Sequence, residues 1–126
     1  MKKIRLSTIA LDRDTFIGGT LETFEDDEGI YRSTITDMRF YQDKNGPELH
    51  VAVSSELKQR GKRWVQEAAG STIFLRSPYK KPLTATRRKD GRIVVVASDP
   101  KNYFRRAVFY PRGVLQLPPC RSGPQG

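Results

Sequence analysis

Apolar and polar positions alternate with period two along most of this chain, the pattern of strands with one buried face. Ile4, Leu6, Thr8 and Ala10 alternate with Arg5, Ser7 and Ile9, which predicts a first strand. Phe16, Gly18 and Leu21 to Phe24 predict a second, with Gly18-Gly19 marking a bulge or a sharp bend. The acidic turn Glu25-Asp26-Asp27-Glu28-Gly29 leads into 30–41, where Ile35, Met38 and Phe40 face inward and the parity breaks once between Ile35 and Met38. Asp43-Lys44-Asn45-Gly46 carries an Asn-Gly pair, a strong hairpin signal because both residues accept positive φ. Leu49, Val51 and Val53 return as the partner strand.

The period then changes. From an N-cap at Ser54 or Ser55, the residues Leu57, Trp64, Val65 and Ala68 share one helical face, and Gly70 stands where a helix stops. One amphipathic helix is predicted here. Gly61 in its middle costs about 1 kcal/mol relative to Ala, which allows a start near Lys62 with 56–61 as a basic loop. Strand signals resume at 71–75, 83–87 and 92–97, the last two joined by the turn Lys89-Asp90-Gly91. The stretch 101–110 alternates with a slight preference for strand. The expected fold class is α+β, mainly antiparallel β: a small barrel or strongly curved sheet with one amphipathic helix. Its order, β-β-β-α-β-β, is that of the oligonucleotide-binding barrel, an analogy of order alone. Residues 1–116 read as a single mainly-β domain and 117–126, with Pro118, Pro119, Gly123, Pro124 and Gly126, as a flexible tail.

Composition narrows the class. A chain of 126 residues can bury a core without disulfides or a structural metal. No run approaches the roughly 18 apolar residues of a membrane helix, and Met1-Lys2-Lys3-Ile4-Arg5-Leu6 lacks the apolar stretch of a signal peptide. A cytoplasmic protein with no membrane partner is expected. Cys120 is the only cysteine, so one chain can form neither an internal disulfide nor a thiolate metal site. The run 25–28 lacks the spacing and central glycine of a calcium loop, and no Gly-Lys-Ser/Thr follows Gly18-Gly19. No metal and no cofactor are expected.

Charge points to a partner. Residues 1–56 hold 7 Lys+Arg against 11 Asp+Glu, whereas 57–126 hold 16 against 3, within a net charge of +9. So basic a half needs solvent or a polyanion around it, and nucleic acid is the commonest polyanion in a cell. Cations and aromatic rings are interleaved, as in Arg39-Phe40-Tyr41, Arg63-Trp64, Arg76 to Lys81 and Tyr103 to Arg106. Rings stack on unpaired bases while Lys and Arg follow phosphates. The candidate nucleic-acid-binding residues are Lys58, Arg60, Lys62, Arg63, Arg76, Tyr79, Lys80, Lys81, Arg87, Arg88, Lys89, Arg92, Tyr103, Arg105 and Arg106, with Tyr110 a further exposed ring. Phe16, Phe24, Phe40, Phe74 and Trp64 read as core.

Catalytic candidates are few. His50, the sole histidine, lies on the face opposite Leu49 and Val51, and no acidic partner for it is visible in sequence. The leading expectation is a non-enzymatic binder of nucleic acid, single-stranded DNA or RNA favoured. An alternative is a protein–protein module, an inhibitor or assembly subunit whose basic face docks on an acidic protein. The acidic first half also allows a homo-oligomer formed through opposite charges. A lesser alternative is a small ribonuclease centred on His50.

Overall fold

Three long strands joined by tight turns hold two thirds of the strand residues of a single curved sheet. A computed structural model describes residues 2–25, 29–97 and 104–115. Strand β1 (Lys2–Ile4) is followed by two short helices, α1 (Leu6–Leu11) and α2 (Arg13–Phe16). Then come β2 (Thr20–Glu25), β3 (Gly29–Asp43), β4 (Gly46–Arg60), β5 (Arg63–Arg76), β6 (Thr84–Arg87), β7 (Ile93–Val96) and β8 (Arg106–Tyr110). All pair antiparallel, in the order β1-β6-β7-β8-β2-β3-β4-β5. Among the described residues the sheet is open, with β1 and β5 at its edges.

Its curvature is evident from one hydrogen bond. The Leu83 amide donates to Ser77 Oγ at 2.9 Å, which sets the start of β6 against the end of β5. Six strand spacings separate those strands in the ladder, roughly 29 Å in a flat sheet. The sheet must curl to bring them together. Its concave face encloses one apolar cluster, in which Leu6, Ile9 and Phe16 of the helices meet Leu21, Ile35, Met38, Leu49, Val51, Leu75, Ile93, Val95 and Phe109.

Several expectations match at the local level. The β3–β4 hairpin turns at Lys44-Asn45, although only Gly46 takes a positive φ, 144°. A Cβ there would stand 2.2 Å from the Ser77 carbonyl oxygen, so glycine is required by close approach. The Asn45 amide is satisfied instead by Asp43 Oδ1 at 3.0 Å. The parity break in β3 is a register shift between Ile35 and Asp37. Gly18-Gly19 forms the sharp bend into β2, with Gly18 at φ 87°.

Other expectations are corrected. Residues 5–10 do not continue a strand: β1 ends at Ile4, and α1 buries Leu6 and Ile9, three residues apart on one helical face. The second strand starts at Thr20, and Phe16 belongs to α2. The predicted helix over 55–69 is absent. β4 runs on to Arg60, Gly61-Lys62 turns the chain, and β5 returns with Arg60 opposite Arg63. Gly61, at φ 63°, occupies the first position of a two-residue hairpin turn, where glycine is favoured. The order β-β-β-α-β-β therefore gives way to a sheet whose two short helices precede its second strand. Phe74 is not core but 38% exposed, and Phe24 and Trp64 are only partly buried. The undecided stretch 101–110 ends in strand β8, while 101–103 and the predicted tail 117–126 lie outside the described residues.

Candidate nucleic-acid interface

Strand alternation builds this site. Met38, Leu49, Val51, Ile73 and Leu75 turn into the core, so the residues between them on β3, β4 and β5 face outward together. The register sets Tyr41 opposite Glu48, Arg39 opposite His50, His50 opposite Phe74 and Glu48 opposite Arg76. Three rings thus form a row across three strands. The Tyr41 and His50 ring centres are 4.3 Å apart, and His50 meets Phe74 edge to face at 4.6 Å. Tyr41 is 45% exposed, so the outer rings of the row keep free surface.

Polar contacts hold the row in place. Glu48 Oε1 lies 3.0 Å from His50 Nε2 and accepts a hydrogen bond from Arg76 Nε at 3.1 Å. The Arg76 guanidinium also lies 5.5 Å over the Phe74 ring. On the other side, Arg39 reaches Asp37, which also pairs with Arg13 from α2. The Met38 amide, with the two guanidinium groups, holds the Asp37 carboxyl below its usual range. The Arg39 guanidinium is shifted upward by hydrogen bonds to Tyr41 and Asp37.

Beyond Glu48 and Arg76 the row opens into a groove of ≈ 820 Å³ between the 43–47 turn and the loop 77–81. Lys44, Tyr79, Lys80 and Lys81 line it. Tyr79 is held by Gln42 Nε2, which donates to its hydroxyl at 2.6 Å, and stays 64% exposed. The combination offers flat apolar faces 4–5 Å apart in a rim of cations, with Asp43 and Glu48 as the interspersed acids.

No family model, curated protein or solved structure matches this chain. The site must therefore be read from its own geometry.

Arg76, Tyr79, Lys80 and Lys81 are the sequence candidates that this geometry unites. The others lie apart. Lys58, Arg60, Lys62 and Arg63 sit at the opposite end of β4 and β5, roughly 40 Å away along a strand of that length. There Arg60 pairs with Glu67 at 2.7 Å, and Lys58 lies 5.4 Å over the Tyr31 ring. Arg105 and Arg106 stand at the start of β8, where Arg106 covers Phe24 at 4.1 Å. Arg87, Arg88, Lys89 and Arg92 surround the β6–β7 turn. Tyr103 lies outside the described residues. Tyr110 is engaged, its hydroxyl 3.3 Å from the buried carboxylate of Glu22, which Arg32 pairs at 2.6 Å under the ring of Trp64.

Arg39, Tyr41, Glu48 and Phe74 of this site lie outside the candidates read from the sequence. Phe74 reads as core by its apolar neighbours, yet its position between Ile73 and Leu75 puts it on the outer face. Tyr41 follows the same parity after Phe40. Glu48, two positions from His50 on one strand, is the acidic partner that the linear sequence hides.

Proposed function

We propose that this is a non-enzymatic nucleic-acid-binding protein that holds single-stranded DNA or RNA on the outer face of β3, β4 and β5. Bases stack on Tyr41, Phe74 and Tyr79, and phosphates run along Arg39, Arg76, Lys80 and Lys81. The observation that carries the reading is the row Tyr41–His50–Phe74, exposed on a sheet face and bordered by cations. A duplex hides the faces of its bases, so such rings favour single strands. The test is fluorescence anisotropy with labelled single-stranded DNA, single-stranded RNA and duplex DNA at low and near-physiological salt. Preference for single strands with a steep loss in salt is expected. Absence of binding to all three would overturn the reading and turn attention to an acidic protein partner.

Cleavage of RNA at His50 is a second reading, favoured by the contact between His50 and Glu48 with Arg76 on the same carboxylate. General acid–base cleavage uses an acid and a base that each reach the reacting groups. Glu48 and His50 are instead closed on each other at 3.0 Å, which suits orientation of the ring for stacking. RNA should remain intact on incubation with the protein; cleavage lost in His50→Ala would establish the second reading.

A further inference from the structure

We infer that the β6–β7 turn forms a second site, a pocket for the phosphate group of a phosphate monoester. The cations there are arranged against one another. Lys2 of β1 stands directly opposite Arg87 of β6 in the ladder, a like-charge pair of the kind that sheets avoid. Arg88, Lys89 and Arg92 complete the ring around a groove of ≈ 710 Å³. Two carboxylates offset the five cations: Asp12 pairs with Arg87 at 2.6 Å, and Asp90 lies 3.2 Å from Arg92 Nε. Among the described residues, three of the positive charges have no carboxylate counterpart.

The donors carry the inference further than the charge does. Arg88 Nε and Arg92 Nε are both buried and donate to no acceptor among the described residues. Arg92 Nε lies 3.2 Å from Asp90 Oδ2 as an ion pair without forming a hydrogen bond, while Asp90 Oδ1 caps the turn by accepting from the Arg92 amide at 3.1 Å. Buried guanidinium N–H groups are costly to leave unpaired. A tetrahedral dianion supplies several acceptor oxygens at once for the guanidinium and ammonium groups that line the groove and neutralises two of their charges. A monoester dianion does this better than the monoanionic diester of a nucleic-acid backbone. The groove also has room for the group that carries the phosphate.

The site shares no residue with the ring row and stands whether or not that row binds bases. The test follows the arginine Nε–H resonances of the full chain during titration with inorganic phosphate, against chloride at matched ionic strength. Saturable shifts at Arg88 and Arg92 are expected, and they should persist in Phe74→Ala. Arg88→Gln with Lys89→Gln, checked for unchanged thermal unfolding, should weaken phosphate binding by about tenfold or more, the value of one charge-assisted hydrogen bond. Shifts that do not saturate, or that match those in chloride, would overturn the site. Oligonucleotides with and without a 5′-phosphate identify the source of the ligand. Tighter binding of the phosphorylated strand assigns the pocket to strand ends, and equal binding with intact phosphate shifts assigns it to small phosphorylated molecules.

Discussion

Replacing Phe74 with alanine separates stacking from charge. The ring contacts His50 edge to face at 4.6 Å and is 38% exposed, so its loss removes one aromatic pair and only part of a buried side chain. Phe74→Ala should cost about 1–2 kcal/mol of stability, too little to unfold an ordinary domain. Loss of one stacked base costs about 1–3 kcal/mol of binding, which at about 1.4 kcal/mol per tenfold weakens affinity roughly 5- to 150-fold. Because the side chain carries no charge, the slope of log affinity against log salt should stay unchanged. The assay is anisotropy with a labelled single strand across a salt series, with far-ultraviolet dichroism to show that the variant is folded. A folded variant that binds within twofold of the parent would refute the stacking argument, and a flattened salt slope would show that the substitution acts through the neighbouring cations.

Other consequences are open to direct measurement. Arg76→Gln should lower the salt slope for single strands by about 0.7, one phosphate contact, while unfolding changes by less than about 1 kcal/mol because the side chain is two-thirds exposed. Gly46→Ala should destabilise the domain by about 1–3 kcal/mol in urea unfolding, since the new Cβ would sit 2.2 Å from the Ser77 carbonyl oxygen. Asp37, whose carboxyl is held below 3.8 in the folded state, contributes stability that is complete above that value and lost as pH falls through the lowered one. Asp37→Asn should therefore flatten the acid limb of stability against pH by a fraction of a kcal/mol, read from denaturant midpoints between neutral and acid pH.

Elements whose partners are close in sequence are legible in the chain itself. The turns at 43–46 and 89–91, the bulge after Ile35 and the strands β6 and β7 rest on local backbone chemistry and short alternation. The outward face of His50 and the exposure of Tyr79 follow from parity and from a loop flanked by proline. The mainly antiparallel class is visible for the same reason.

What lies beyond the sequence is every decision made by a distant partner. Leu57, Trp64, Val65 and Ala68 fit a helical face on paper, but β3 offers β4 a ladder to Lys58, and β4 then carries β5 along with it. Over 63–68 one face is only half-buried, through Trp64, Gln66 and Ala68, and 69–72 are exposed, so no run of buried apolar residues marks the strand period there. In α1 the reverse occurs: apparent alternation yields to a helix because Leu6 and Ile9 must fill the hollow of a curled sheet. The sequence by itself determined strand parity, turn chemistry and the charge of each half. Only the tertiary structure decided which outward residues became neighbours, because cross-strand register depends on pairing between segments far apart in the chain.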